Sequence, residues 1–389
     1  MTILVVAERM GRGGGMERYL QIVLPALAAR GMRVHVVARA LDDLPVAVTG
    51  EQLVWADEHD PPSATASAEL ARRIIELRPD IAVAHNVLDA GIVATMRTVA
   101  RFAYHVHDHR PFCPNGDRVL PRSGRNCTLE LGNPCALHAL IDGCCYGPRL
   151  RSLTLIRSRE RLRDAVAAAD AIVVASGYVA ARARDGHIPR DRIVTVPLPL
   201  PDDAFSASPP RAAPPRSIIF AGRIVPQKGL GSLVRALAHI DRASRPTLRV
   251  FGAGPALAEA QRDAARLGVT VDAPGNVTPA TIRDAIDQAA LVALPSMWAE
   301  PFGYVGIESF ARGCPVIAYD VGGIGEWLAD GINGRTVARG DEPALGAAIA
   351  SLLDDEAQRA RLGAQARRDA ERFRQMPIVD ALLDIYANR

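Results

Sequence analysis

The sequence predicts an α/β protein made of two domains in tandem, and three observations support this prediction. The 389 residues, 49% of them hydrophobic, suffice for two substantial cores. Short apolar runs alternate with amphipathic segments along the chain, a pattern typical of parallel sheets with crossover helices. A stretch at 206–216, with four prolines among small residues, interrupts this alternation, which then begins again.

The first domain is predicted to span 1–205. It opens with an apolar run, a glycine cluster and a helical pattern that Gly31 closes, which together indicate a strand, a loop and a helix. Further buried runs continue the alternation. The expected strands are 3–7, 34–38, 81–84, 102–106, 171–175 and 193–196, and the expected helices are 16–30, 66–77, 91–100 and 150–169.

The second domain is predicted to span 217–375, followed by a last segment at 376–389, with 206–216 as a stiff linker. The expected strands are 217–221, 247–252, 269–272, 290–294 and 316–319, and the expected helices include 233–239 and 378–387. Because parallel sheets bind ligands at the carboxyl ends of their strands, we expect a ligand cleft between the two domains.

The charge of the chain excludes some classes of function. A formal net charge of +3 is too small for a protein that binds nucleic acid through many phosphates. No window approaches the roughly 18 apolar residues of a membrane span, and the first residues do not follow the order of a signal peptide. We therefore expect a cytoplasmic protein. Its oligomeric state is expected to be a monomer or a dimer.

A glycine cluster follows the first predicted strand of the first domain, and a basic loop follows the first predicted strand of the second domain. Gly11, Gly13, Gly14 and Gly15 precede a helix, so bare amides at a positive helix end can bind an anion or a sugar hydroxyl. Met16 stands where the dinucleotide fingerprint needs its third glycine, which argues against a dehydrogenase.

The basic loop of the second domain carries two cations that can bind an anionic ligand. Lys228 is the only lysine among the 46 basic residues, and it follows Arg223 on the loop that begins at Gly222. Two cations five residues apart suit a diphosphate. The loop is not a Walker P-loop, because Gly229 follows Lys228 where Ser or Thr would bind magnesium.

Two carboxylates lie eight residues apart in the second domain. Glu300 precedes a helix expected to begin near Gly303, and Glu308 lies two turns along it, so both can touch one extended ligand. A carboxylate that accepts two vicinal hydroxyls is a common ribose contact. The amides of Phe302 and Gly303 at the helix start can meet hydroxyls or phosphate.

In the first domain, His107, Asp108 and His109 follow a predicted strand, where side chains can face a ligand. Histidine offers a donor, an acceptor or a proton carrier near neutral pH. The His-Asp pair at a strand end is a more specific signal than either residue alone.

These motifs, in this order and spacing, resemble the retaining GT-B glycosyltransferases of family GT4, and the likeness covers essentially the whole chain. The resemblance implies two Rossmann-like α/β/α domains that face a central cleft, with the C-terminal helix crossing back onto the N-terminal domain. It implies a UDP- or GDP-sugar held mainly by the second domain and a hydroxyl acceptor held by the first. The acceptor class stays open among saccharides, glycolipids and small cyclitols.

The resemblance also implies roles for individual residues. Arg223 and Lys228, beside Gly222, would bind the diphosphate and stabilise it as it leaves. Glu308 would hold the ribose. Glu300, with the amides of Phe302 and Gly303, would hold the donor sugar.

In the first domain, the resemblance implies that Gly14 and Gly15 approach the phosphate and that His107 contacts the sugar near the reacting carbon. Asp108 and His109 are assigned to the acceptor. Front-face substitution with retention then needs no cofactor and no catalytic metal, since Arg223 and Lys228 take the place of the ion. Two alternatives stay open: a GT-B nucleotide-sugar 2-epimerase and a non-catalytic nucleotide-sugar-binding protein.

Five of the six cysteines fall in the loop-rich segment 111–148, which is too long to be a mere connection. Cys113, Cys127, Cys135 and Cys144 could bind a structural zinc, but disulfides and free thiols also remain open.

The next helix carries arginines between Arg149 and Arg163. Peripheral contact with anionic lipid at the inner face of the membrane and a solvated helix face are both consistent with this pattern.

Overall fold

The computed structural model describes residues 1–11, 13–56, 62–120, 127–145, 149–205 and 216–388. The chain divides into two compact units, unit 1 with Met1–Pro199 and Gln375–Arg389 and unit 2 with Leu200–Arg374. Unit 2 begins before the predicted linker, because Leu200 donates a backbone hydrogen bond to Phe373 (2.7 Å) and Arg312 bonds the carbonyl of Ala204 (3.3 Å). Nearly all of the predicted linker lies outside the described residues.

Unit 1 is built around a seven-stranded parallel sheet. Its strands are β1 (Thr2–Met10), β2 (Arg33–Leu41), β3 (Thr49–Gln52), β4 (Ile81–His85), β5 (Phe102–Val106), β6 (Ala171–Val174) and β7 (Ile193–Thr195). Its helices are α1 (Gly15–Ala29), α2 (Ala64–Leu77), α3 (Ala90–Met96), α4 (Asn133–Ile141), α5 (Arg149–Ala167), α6 (Gly177–Asp185) and α13 (Gln375–Asn388).

The sheet order in unit 1 is β3-β2-β1-β4-β5-β6-β7. The direction of strand addition therefore reverses between β1 and β4, and parallel sheets usually bind ligands at such a point, at the carboxyl ends of the strands. The glycine loop follows β1 at this point, and His85 ends β4. The topology thus brings these two segments to the same end of the sheet.

Unit 2 has a six-stranded parallel sheet. Its strands are β8 (Ser217–Ala221), β9 (Thr247–Phe251), β10 (Val271–Gly275), β11 (Leu291–Leu294), β12 (Val316–Tyr319) and β13 (Gly334–Val337). Its helices are α7 (Leu230–Ala238), α8 (Leu257–Leu267), α9 (Pro279–Asp287), α10 (Tyr304–Ala311), α11 (Glu342–Asp354) and α12 (Glu356–Ala370).

The sheet order in unit 2 is β10-β9-β8-β11-β12-β13, so the direction of strand addition reverses between β8 and β11. The basic loop follows β8, and the segment with Glu300 follows β11. Two segments more than 70 residues apart in sequence therefore meet at one crevice of this sheet.

The helix α13 packs against unit 1, to which it returns at the end of the chain. Arg30 of α1 forms an ion pair with Asp380 (2.6 Å), and Gln375 bonds the carbonyl of Ile22 (2.7 Å). Arg101 bonds the carbonyl of Tyr386 (2.9 Å). These contacts fix the helix on the same unit that carries β1 to β7.

The predicted α/β class with two parallel sheets is confirmed. The strands at 102–106, 217–221 and 316–319 have the predicted bounds. The sequence did not indicate β3 or β13, because both are half-exposed edge strands with polar residues, TGEQ and GRTV, and lack an apolar run. The helix predicted at 91–100 ends already at Met96.

No helix among the described residues is long and apolar enough to cross a membrane. In α5, Arg157 and Arg161 are exposed, whereas Arg159 is fully buried. The predicted basic face of this helix is therefore narrower than its sequence indicates, and membrane contact stays a prediction.

Candidate active site

The basic loop of unit 2 follows β8 and packs closely against the loops that follow β9 and β11, and glycines permit both approaches. A side chain on Gly252 would come 2.0 Å from the carbonyl oxygen of Gly222, so the two loops touch backbone to backbone. Gly229 has φ of +76°, and a Cβ there would lie 1.8 Å from the carbonyl oxygen of Pro295. Only glycine permits this approach, and it sets Lys228 beside the loop that follows β11.

Lys228 and Glu300 form an ion pair in this crevice. The Lys228 Nζ donates to Glu300 Oε2 at 2.7 Å. The same oxygen accepts hydrogen bonds from Trp298 Nε1 (2.9 Å) and Ser296 Oγ (3.0 Å). Lys228 also lies over the Trp298 ring, 5.3 Å from its centroid, which adds a cation–π contact.

The charge of Glu300 is maintained by these partners. Burial alone would raise the pKa of its carboxyl, but the charge of Lys228 and the hydrogen bonds from Lys228, Trp298 and Ser296 lower the pKa below its usual value. Glu300 is therefore a carboxylate at neutral pH, and it holds the ammonium of Lys228 in one position.

The other predicted donor-site residues of unit 2 lie on the basic loop and at the start of α10 or within it, and a Cβ on Gly303 would lie 3.7 Å from Glu300 Cγ. Gly303, with φ of +97°, caps α10, and the carbonyl of buried Phe302 accepts from Trp327 Nε1 at 2.7 Å. Glu308 is half-buried on α10, as the spacing predicts. Arg223 is exposed near the start of the basic loop, where its guanidinium can reach an anionic ligand.

The glycine loop of unit 1 ends at the first turn of α1. Gly14 is the residue before the helix, and Gly15 is its first residue. Gly13 has φ of +135°, and a Cβ on Gly14 would come 2.2 Å from Glu17 Oε2. Gly13 and Gly15 are exposed at this helix start, where the carboxylate of Glu17 lies beside Gly14. An anion or hydroxyl site at these amides stays a prediction.

Three histidines cluster at the carboxyl ends of β4 and β5. His85 and His105 are register partners across the two strands, and His107 lies two residues beyond His105, on the same face. His85 Nδ1 is 3.0 Å from His107 Nε2, which is a hydrogen bond. Within the described part of the chain, these three are the only group whose donor atoms converge enough to hold a metal ion, all within 4.8 Å.

Two tyrosines complete the cluster. The Tyr386 hydroxyl of α13 lies 2.8 Å from His105 Nε2, and the Tyr19 hydroxyl of α1 lies 3.4 Å from His105 Nδ1. Burial lowers the pKa of His107 to about 4 and lowers the pKa of His85 and His105 well below the usual range. All three rings are therefore neutral at pH 7.

Asp108 and His109 differ in their surroundings. Asn86 Nδ2 donates to Asp108 Oδ2 (2.8 Å), and Arg110 Nε donates to the same oxygen (2.8 Å). Burial would raise the pKa of Asp108, but the charge and hydrogen bonds of Arg110 lower it. His109 is fully buried against Tyr178, with ring centroids 5.9 Å apart, so its ring does not face solvent.

Sequence reasoning missed several residues of these two sites. His85 carried a detectable signal, because it ends a strand just as His105 and His107 end the next one. No sequence signal pointed to Ser296, Trp298 or Tyr386. Only the tertiary structure brings Ser296 and Trp298 to Glu300, and Tyr386 to His105.

The neutral histidines predict a dependence of stability on pH. Below about pH 6.5, the unfolded chain binds protons at these positions while the folded chain does not, so stability falls as the pH drops from about 6.5 toward 4. Each histidine contributes up to about 1.4 kcal/mol per pH unit in this window. Thermal melting at several pH values measures this loss, and His105→Gln should reduce its slope.

The exposed His239 in unit 2 supplies the control. His239→Gln should leave the slope as steep as in the wild type, because it leaves the buried histidine cluster intact. A melting temperature of the wild-type chain that is constant from pH 7 to 4.5 would contradict buried neutral histidines.

Two family models match the chain. The model described as Glycosyltransferase Family 4 matches residues 13–203, and that described as Glycosyl transferases group 1 matches residues 202–369. A crystal structure of the Anabaena protein HepE in complex with UDP-glucose has a TM-score of 0.75 and 19% identity, with 100% of both chains covered. This likeness concerns the fold.

Curated relatives are similar over part of their length. A D-inositol 3-phosphate glycosyltransferase of Xylanimonas cellulosilytica is 34% identical over 219 residues, 51% of this chain and 51% of the relative. A GDP-mannose-dependent alpha-(1-6)-phosphatidylinositol monomannoside mannosyltransferase of Mycolicibacterium smegmatis is 29% identical over 265 residues, 63% of this chain and 69% of the relative. The chain thus spans about half the length of the first of these relatives. Because the two family models together extend from residue 13 to residue 369, the chain belongs to the GT4-type glycosyltransferases of the GT-B fold.

Proposed function

We propose that this protein is a retaining glycosyltransferase that moves a sugar from a UDP- or GDP-sugar to a hydroxyl group of an acceptor. The observation that carries the proposal is the Lys228–Glu300 ion pair at the crevice of unit 2, with Arg223 exposed on the same loop. An immobilised ammonium and a guanidinium on one loop fit a diphosphate that gains charge as it leaves.

The chemical step breaks the bond between the anomeric carbon and the diphosphate oxygen. The electron pair of that bond stays on the diphosphate, and Lys228 and Arg223 neutralise the added charge. The acceptor oxygen bonds to the anomeric carbon from the same face, and its proton passes to a phosphate oxygen of the leaving group. These residues supply the positive charge that the reaction needs, so we propose a mechanism without a catalytic metal or cofactor.

Other residues would bind the rest of the donor. Glu308 would accept the ribose hydroxyls, and Glu300 with the amides of Phe302 and Gly303 would bind the sugar. In unit 1, the amides of Gly14 and Gly15 are an anion-binding group. His107, neutral and hydrogen-bonded to His85, is suited to bond a sugar hydroxyl rather than to act as a cationic acid.

The relatives narrow the search for substrates. Their names contain D-inositol 3-phosphate, phosphatidylinositol monomannoside and GDP-mannose. We propose inositol phosphates and inositol glycolipids as the first acceptors to test. Among acceptor residues, Asp108 is partly exposed, whereas buried His109 would act only through its neighbours.

Calorimetric titration with UDP, GDP and their sugars tests the proposal. We expect micromolar binding of one nucleotide, followed by transfer to an acceptor and a product whose anomeric configuration by NMR equals that of the donor. An inverted product would overturn the retaining mechanism. Absence of binding across the panel would overturn the assignment of the donor site.

A further inference from the structure

Two consecutive residues at the end of β4 contact both members of the His-Asp pair. His85 is the last residue of β4, and Asn86 follows it. Both are buried, with 2% and 1% of their surface exposed. His107 and Asp108 follow β5, which is the neighbouring strand of the sheet. The two pairs therefore lie side by side at the carboxyl ends of adjacent strands.

His85 holds the ring of His107 through one hydrogen bond. His85 Nδ1 lies 3.0 Å from His107 Nε2. A hydrogen bond between two imidazole nitrogens needs a proton on one of them and a lone pair on the other, so the tautomer of His107 is tied to that of His85. The ring of Tyr19 packs edge to face on His107, with centroids 5.0 Å apart, and limits its rotation. The orientation of the His107 ring is thus fixed by its neighbours.

The side-chain amide of Asn86 binds two groups at once. Asn86 Oδ1 accepts from the backbone N–H of His107 at 3.0 Å, and Asn86 Nδ2 donates to Asp108 Oδ2 at 2.8 Å. Because a backbone N–H can only donate and a carboxylate can only accept, this amide fits in one orientation. Asn86 therefore sets the distance between the backbone of His107 and the carboxylate of Asp108.

The backbone of Asn86 adopts a sparsely populated conformation. Its φ is +52°, in the left-handed region that glycine adopts freely and other residues rarely adopt. Such a conformation costs free energy even for Asn, and it persists where the surrounding contacts over-determine it. Residues of this kind cluster at functional sites. Here the strained residue is the one that binds both His107 and Asp108.

We propose that His85 and Asn86 are positioning residues for sugar transfer. His85 directs the ring of His107 toward the sugar of the donor substrate, and Asn86 holds His107 and Asp108 at one spacing. This inference rests on the proposed function, in which His107 contacts the sugar and Asp108 the acceptor. A ring that is fixed before the ligand arrives loses little entropy on binding, so its hydrogen bond to the sugar contributes more to affinity.

Calorimetry with nucleotides and sugar nucleotides separates positioning from folding. UDP and GDP lack the sugar, whereas UDP-glucose and GDP-mannose carry it. In His85→Leu and Asn86→Gly, we expect affinity for the sugar nucleotide to fall about tenfold and affinity for its nucleotide to stay within about twofold. Glycine tolerates the left-handed backbone, so Asn86→Gly removes the amide without added strain. Equal losses for both ligands, or no loss for either, would overturn the inference.

Two further variants are the matched controls. His35, near the amino end of β2, is also hydrogen-bonded, with its Nδ1 2.9 Å from Thr49 Oγ1. His35→Gln should keep both affinities, because it leaves β4 and β5 unchanged. His85→Asn places an amide near the position of Nδ1, so it should weaken binding of the sugar nucleotide less than His85→Leu does. A loss in His85→Asn as large as that in His85→Leu would contradict the role of the hydrogen bond.

Nuclear magnetic resonance of the full chain, labelled with ¹⁵N in histidine, tests the hydrogen bond without substrate and in the wild type. We expect a scalar coupling between His85 Nδ1 and His107 Nε2 and a single tautomer of His107, with mixed tautomers in His85→Leu. Mixed tautomers in the wild type would overturn the inference. Absence of sugar-nucleotide binding in a wild type that shows the coupling would instead overturn the proposed function and leave the positioning of His107 supported.

Metal analysis of the purified chain tests the competing use of these histidines. Within the part of the chain that the structure describes, the nitrogens of His85, His105 and His107 converge enough to hold a metal ion, and the cysteine sulfurs form no such group. We expect His107 Nε2 to bond His85 rather than an ion. One zinc per chain that is lost in His85→Leu would overturn the inference.

Discussion

Replacement of Lys228 by Ala is expected to lower kcat/KM for sugar transfer by about 10²- to 10³-fold, as the loss of one preorganised charge at a leaving group does in other enzymes. The change removes the only lysine and leaves the carboxylate of Glu300 buried without its counter-ion. Binding of the nucleotide diphosphate should weaken in calorimetry. Stability should also fall, since breaking one side of a buried ion pair costs about 3 kcal/mol.

The control is Arg266→Ala, which removes an exposed cation from the same unit. This variant should bind nucleotide as the wild type does. Circular dichroism and thermal melting of Lys228→Ala establish that the variant is folded at the assay temperature. A folded Lys228→Ala variant with wild-type transfer rates would rule out the role assigned to this residue.

Glu300→Gln is the second change with a large expected effect. The amide keeps the size of the carboxyl and can still accept bonds from Trp298 and Ser296, but it carries no charge to hold Lys228. We expect kcat to fall about 100-fold, because a misdirected ammonium stabilises the leaving group poorly. Steady-state kinetics of the purified variant measure this loss.

A double-mutant cycle separates two roles of Glu300. If Glu300 acts mainly by positioning Lys228, the variant with both changes should lose little more than Lys228→Ala alone. If Glu300 also binds the donor sugar, the losses should add, and KM for the sugar nucleotide should rise in both backgrounds. Nucleotide affinity and kcat unchanged in Glu300→Gln would contradict both roles.

Much of the fold could be predicted because buried parallel strands are continuous apolar runs. The central strands, such as β5, β8 and β12, are covered on both faces and were predicted with their observed bounds. The edge strands β3 and β13 are half-exposed and polar, so hydrophobic pattern could not reveal them. The order of the strands within each sheet could not be predicted from the hydrophobic pattern either, because it depends on contacts between distant segments.

In the candidate site, too, some features could be predicted from the sequence and others could not. The glycine cluster, the single lysine, the eight-residue spacing of Glu300 and Glu308, and the His-Asp pair could be recognised in the sequence because each has a distinctive local composition. The pairing of Lys228 with Glu300 could not be predicted from the sequence, and the family resemblance places Lys228 at the diphosphate and Glu300 at the donor sugar. Their separation of 72 residues is bridged only by the adjacency of β8 and β11.

The sequence by itself determined the fold class of the protein, the positions of most strands and the chemical types of its candidate ligand-binding residues, because these follow from local composition and periodicity. Only the tertiary structure decided which residues act together. The register of β4 and β5 sets His85 beside His105, the return of α13 brings Tyr386 to that ring, and the reversal of strand order in unit 2 joins Lys228 to Glu300. Each of these contacts depends on the packing of segments far apart in the chain, which local sequence does not encode.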